Sequence, residues 1–81
     1  MNYSCQIRIP FLTARHAQIA YNSLKVDREP KKDVKRMENI HENNILVVDF
    51  ESNEARYIRV AVESYIDKIN LILRTIQRFD H

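Results

Sequence analysis

Glycine is absent from all 81 residues. Phosphate-cradling loops and nucleophile elbows depend on glycine for tight turns and close backbone approach, so nucleotide binding by a Gly-rich loop is excluded. Cysteine occurs once, at Cys5, so no internal disulfide is available. That thiol falls on the apolar side of an alternating segment, where a buried, reduced cysteine is expected. No apolar run approaches the roughly 20 residues that cross a bilayer, and no membrane contact is expected. The N-terminal MNYSCQIRIPF lacks the basic head and the continuous apolar block of a secretory signal, so a location inside the cell is expected. A large excess of one sign of charge is lacking as well: 13 Lys and Arg against 11 Asp and Glu leave a formal +2. With a pI near 8.9 the chain can contact nucleic acid but lacks the strong basic footprint of a dedicated binder.

The catalytic inventory is equally thin. His16, His41, His81 and Cys5 show no zinc-ligand spacing, and Glu51 with Glu54 reads as ordinary charge at a helix N-terminus. Neither Ser23 nor Ser64 has a histidine three or four positions away. No catalytic residue, metal ligand or cofactor motif emerges, and an enzyme acting alone is not expected.

What is present is a globular composition, 44% hydrophobic and 30% charged, in one domain over residues 1–81. A domain of this size buries about 60 to 65% of its unfolded surface, so its core is marginal. From Tyr3 to Phe11 the odd positions are Tyr, Cys, Ile, Ile and Phe, the period of two of a half-buried strand closed by Pro10. Thr13 is the expected N-cap of a helix over 14–26 with an apolar face of Ala14, Ala17, Ala20, Tyr21 and Leu24. The run DREPKKD at 27–33 reads as a solvated connection. VKRMENIH at 34–41 alternates weakly and ILVVDF at 45–50 is a strong strand; Asn43-Asn44 between them suits the positive backbone angles of a tight hairpin. Ser52 or Asn53 caps a final helix to about Phe79.

In that last helix Ala55, Ile58, Val62, Tyr65, Ile69, Ile72, Ile76 and Phe79 recur at steps of three and four, which is a core stripe. Ala61, Ile66 and Leu73 flank it, but Val60 and Leu71 project from the far side with Tyr57 and Ser64 beside them. The first helix repeats the oddity with Ile19 and Ser23. Isolated exposed aliphatics are normal. The alternative is a partner's helices, since full burial of each such side chain contributes roughly 1.5 to 3 kcal/mol. Arg56, Arg59, Arg74 and Arg78 lie within about a third of the helix circumference, interrupted by Glu63 and Asp67. An ion-paired solvated face, with Arg56 or Arg59 pairing to Glu63, stands against a phosphate-contacting edge for RNA.

Two segments carry a resemblance. IPFLTARHAQIAYNSLKVDREP at 9–30 and FESNEARYIRVAVESYIDKI at 50–69 are similar to the Pcc/LAGE/CTAG family, the small subunit of the KEOPS (EKC) complex. The specific marks are Ala17, Ala20, Tyr21, Ser23, Leu24 and Asp27 in the first, and Arg59, Val60, Val62, Ser64 and Tyr65 in the second. The resemblance implies an α+β fold of order β-α-β-β-α: a three-stranded antiparallel sheet with two helices on one face. It also implies that the outer helix faces, here Ile19, Ser23, Tyr57, Val60, Ser64 and Leu71, bundle with the complex's catalytic subunit. That subunit is an ATP-using threonylcarbamoyl transferase, which makes threonylcarbamoyladenosine beside the anticodon of tRNA. A sheet edge, either the N-terminal strand or the 34–41 strand, would pair with a second copy or a Gon-type accessory subunit. The family's tRNA-contacting arginine maps onto Arg59; Arg56, Arg74 and Arg78 are added from their position alone. The implied subunit is non-catalytic, carries no cofactor, and acts in cytoplasm and nucleus. Any role resting on the extended N-terminal region of longer animal members is expected to be missing.

A free-standing nucleic-acid-binding α/β module is the competing reading. Single-strand binders display aromatics on an open sheet, whereas Tyr3, Phe11 and Phe50 fall in apolar phase here and are expected in the core, which favours the subunit.

Overall fold

The computed structural model describes residues 2–26 and 33–79. The connection expected over 27–33 therefore lies, apart from the exposed Asp33, outside the described residues, as does His81. Five elements follow in the expected order: β1 (Tyr3–Pro10), α1 (Ala14–Lys25), β2 (Val34–His41), β3 (Ile45–Ser52) and α2 (Ala55–Phe79). β3 is central in an antiparallel sheet of order β1-β3-β2, so the two strands expected at the edges are the edges.

Period-two alternation decides which side of each strand meets the helices. Cys5, Phe50 and Arg36 share one cross-strand row, Ile7, Val48 and Glu38 the next, and Ile9, Leu46 and Ile40 a third. Leu46, Val48, Phe50 and Ser52 of β3 are wholly buried, and the Phe50 and Tyr65 rings meet edge to face at 5.6 Å. Phe11 and Phe50 are core, as expected; Tyr3 is about half exposed, because it begins an edge strand with cover on one flank only.

The hairpin differs in detail from its sequence reading. Positive φ angles fall at Glu42 (53°) and Asn43 (70°) and not at Asn43-Asn44. Asn44 has other work: its carbonyl accepts the Phe11 N–H at 2.8 Å and its side-chain Nδ2 donates to the Phe11 carbonyl at 3.0 Å. Clasping the β1–α1 corner in this way moves the left-handed pair one residue earlier, at a cost of about 1 to 2 kcal/mol for placing a glutamate there.

Thr13 caps α1 as expected, its backbone extended and its Oγ1 accepting the His16 N–H at 3.1 Å. Ala17, Ala20 and Leu24 are buried and Tyr21 half-buried, whereas Ala14 is exposed because the first turn precedes the buried layer. At α2 neither Ser52 nor Asn53 is itself the cap. Glu54 holds that position, its carbonyl accepting from Tyr57 and Ile58, and the buried Ser52 hydroxyl accepts the Glu54 N–H at 3.2 Å to shape the entering turn.

Ile58, Tyr65 and Ile69 form the buried line of α2, as the spacing predicts, with Val62, Ile72 and Ile76 half-buried. Ala55 is exposed and Ala61, expected only as a flank, is buried. The stripe rotates toward Ala61 because α1 packs against α2, and Ala17, Ala20 and Ala61 hold no side chain long enough to keep the helices apart. Phe79 ends the helix, and its side chain lies outside the described set. Twenty-five helical residues span about 37 Å against about 27 Å for an eight-residue strand, so α2 outruns the sheet.

Candidate functional site

The two helices cover one face of the sheet and turn their outer sides to solvent. On α2, Val60 is 51% and Leu71 64% exposed; on α1, Ile19 is 38% exposed and Ser23 is exposed. Tyr57 and Ser64, expected in the same strip, are half-buried and sit between the exposed line and the core. At 100° per residue Val60 and Leu71 lie roughly 20° apart on the α2 cylinder, well over 100° from Tyr65. These two cannot turn inward without expelling the core. Ile66, expected as a flank of the core stripe, is also an exposed aliphatic, on the opposite flank.

Arg56, Arg59, Arg74 and Arg78 are all exposed on α2. Arg56 does not reach Glu63; its Nε lies 3.9 Å from Glu54 Oε2 and its guanidinium 5.2 Å from the Tyr57 ring centroid. An exposed pair at that distance contributes at most about 1 kcal/mol and leaves the cation available to a phosphate. The four arginines adjoin the Val60 and Leu71 line on the same helix, so one outer surface carries both an aliphatic strip and a basic edge.

The sequence reading missed a polar cluster on the helix-facing side of β2. Arg36 Nε lies 3.3 Å from Glu38 Oε1, with the two side chains only 6% and 8% exposed. Tyr65 Oη donates to Glu38 Oε2 at 2.6 Å, Arg36 Nη2 donates to the Leu24 carbonyl at 3.2 Å, and the guanidinium lies 5.3 Å from the Tyr65 ring centroid. Burial, reinforced by the hydrogen bond to Glu38 and its negative charge and opposed by Arg36, pushes the Tyr65 phenol well above its ordinary value. The available signal was the phase of 34–41: Arg36 and Glu38 share it with Val34 and Ile40, which makes them inward residues on an edge strand.

Between the β1–α1 corner and the overhanging end of α2 lies an open notch of about 220 Å³, lined by Pro10, Phe11, Leu12, His16, Leu73, Ile76 and Gln77. Among the described residues no three His, Cys, Asp or Glu side chains come together as a metal site, and no helix is long and apolar enough to cross a membrane. The outer faces of the two helices and the two edges of the sheet are the surfaces left open to solvent.

Known proteins share this arrangement. The family model described as transcription factor Pcc1 matches residues 4–77. The human EKC/KEOPS complex subunit LAGE3 is 36% identical over 73 residues, 90% of this chain. The EKC/KEOPS complex subunit PCC1 of Saccharomyces cerevisiae is 33% identical over 76 residues, 94% of this chain. The chain spans about half (51%) of the human relative and 86% of the yeast one. Among solved structures, a chain in the crystal structure of the binary complex Gon7-Pcc1 superposes with a TM-score of 0.87 at 31% identity, covering 98% of each chain. The match runs from β1 to the last turns of α2 and takes in the exposed helix faces, and on it the chain belongs to the Pcc1 family.

Proposed function

We propose that this chain is the small, non-catalytic subunit of a KEOPS (EKC) complex, acting in cytoplasm and nucleus, where that complex makes threonylcarbamoyladenosine beside the anticodon of tRNA. In this reading α1 and α2 dock on the catalytic threonylcarbamoyl transferase through Ile19, Ser23, Tyr57, Val60, Ser64 and Leu71. The observation that carries it is the pair Val60 and Leu71, exposed on one line of a helix whose opposite face buries Ile58, Tyr65 and Ile69 in the core. Relatives named as EKC/KEOPS subunits support the assignment to that complex. A free-standing nucleic-acid module fits less well, since Phe11 and Phe50 are buried and Tyr3, at the start of β1, is left as a lone exposed aromatic among the described strand residues, short of a stacking platform. Co-purification from the source cell with mass spectrometry tests the reading: recovery of the catalytic subunit supports it, and recovery of RNA with no transferase overturns it.

The accessory partner, a second copy or a Gon-type subunit, pairs with the β1 edge in this reading. On β1, Cys5, Ile7 and Ile9 face the helix layer yet stay half-buried, so an added strand completes their cover. β2 instead turns the charged Arg36 and Glu38 inward, a feature that discourages further strands. The binary complex Gon7-Pcc1 supports an accessory partner of this kind. Alone at micromolar concentration the chain sediments as a dimer; a monomer throughout that range counts against the edge assignment.

Arg56, Arg59, Arg74 and Arg78 contact tRNA phosphates in the assembled complex. Replacing Arg59 and Arg74 by Ala weakens tRNA binding and reduces the slope of log K against log salt by about 1 to 2, the loss of two phosphate contacts, with folding unchanged. An unaltered affinity and slope in the double variant returns these arginines to a solvated face.

A further inference from the structure

Helix α1 is held by little apolar area. Its buried side chains are Ala17, Ala20 and Leu24, two of them single methyl groups, with Tyr21 half-buried beside them. A 12-residue helix is marginal in isolation, so its persistence depends on what anchors it. Its C-terminal end is anchored by a charge from another element. Arg36 of β2 donates from Nη2 to the Leu24 carbonyl, which also accepts the Val26 N–H, and so places a cation at the negative end of the helix dipole.

Arg36 is in turn held from both sides. Glu38 Oε1 sits 3.3 Å from its Nε, and the Tyr65 ring of α2 lies beneath its guanidinium while the Tyr65 hydroxyl donates to the other oxygen of Glu38. A continuous polar path thus runs from the end of α1 through β2 to the middle of α2. A buried ion pair is weak evidence for stability by itself, since apolar replacements of the same volume are often as stable; its best-attested use is to select one arrangement over others.

We propose that Arg36 is a latch for the C-terminal half of α1, with Glu38 and Tyr65 as its positioning residues, and that α1 is a separable unit that opens while the sheet and α2 stay folded. The latched state holds α1 against α2 with Ile19, Val60 and Leu71 all exposed, so the transferase subunit that docks on both helices selects it; this second part rests on the docking proposed above.

Amide hydrogen exchange on the whole chain tests the latch, using the double variant Arg36→Met/Glu38→Gln. The pair of changes removes both charges of the Arg36–Glu38 pair together, keeps an aliphatic side chain at 36 and leaves an acceptor for the Tyr65 hydroxyl. Protection of the amides at Tyr21–Val26 falls about tenfold or more, while those of Val48 in β3 and Ile69 in α2 change less than about twofold. Unchanged protection in α1, or an equal fall in all elements, overturns the latch. Affinity for the purified transferase subunit separates the two parts: an opened α1 with undiminished affinity upholds the latch and refutes the docking of α1, and an opened α1 with lowered affinity supports both.

Discussion

Leu71→Asp is expected to leave this chain folded and to abolish the proposed association with the transferase subunit, whereas Ile69→Asp, two residues away, is expected to unfold it. Leu71 is 64% exposed and Ile69 only 5%. A carboxylate at 71 stays in water in the free chain, and its cost appears only when the proposed interface closes over it without a partner, at several kcal/mol. At 69 the same charge must be desolvated on folding, in a domain with only about 5 kcal/mol of net stability. Val60→Asp behaves as Leu71→Asp. Circular dichroism of each variant alone, beside pull-down of the transferase subunit, separates the two classes. Normal folding together with wild-type binding of Leu71→Asp and Val60→Asp makes the strip ordinary surface and removes the proposed interface.

Stability falls steeply above pH 10, and Tyr65→Phe flattens that fall. In the folded chain Tyr65 keeps its proton well above its ordinary value of 10.0, first because it is buried and then because its hydroxyl donates to Glu38 beside a negative charge. Unfolded, it ionises near that ordinary value. Above it the unfolded state binds fewer protons than the native state, so the unfolding free energy decreases with pH. The contribution is whole below pH 10 and is lost as pH rises toward the folded value, by about 1.4 kcal/mol per unit for this one group. Two units of alkali therefore remove about half the stability of a domain with roughly 5 kcal/mol. Tyr65→Phe costs about 1 to 3 kcal/mol at neutral pH by removing the hydroxyl that donates to Glu38 Oε2, but has no proton to lose. Urea unfolding at pH 8, 10, 11 and 12 on both chains measures the slopes; equal slopes rule out Tyr65 as their source.

Local periodicity carried most of the fold. Alternation over Tyr3–Pro10 and the apolar run at Ile45–Phe50 mark strands, and steps of three and four from Ile58 to Ile76 mark a helix with one buried face. Thr13 announces the start of α1 because a cap is satisfied within three residues of itself. The exposure of Val60 and Leu71 was legible for the same reason: helix geometry alone sets them opposite Tyr65. The resemblance in two quoted segments added the family, which no periodicity contains.

The tertiary structure decided whatever depends on which element lies across from which. Ala61 is core and Ala55 is not because α1 approaches on one flank of α2. Val47 is buried on the open face of the sheet because it is central in its row, with Arg8 and Asn39 on either side. Glu42 takes a left-handed angle because Asn44 is engaged with Phe11, 33 residues away in the chain. Arg36 and Glu38 were ambiguous in sequence, since charge argues for water while phase argues for the interior. Phase prevails here only because the Leu24 carbonyl and the Tyr65 hydroxyl, 12 and 27 residues distant in sequence, meet them there. Sequence periodicity assigns a residue to a face; the desolvation of a charge is tolerated or refused by partners that only the assembled chain brings within hydrogen-bond reach.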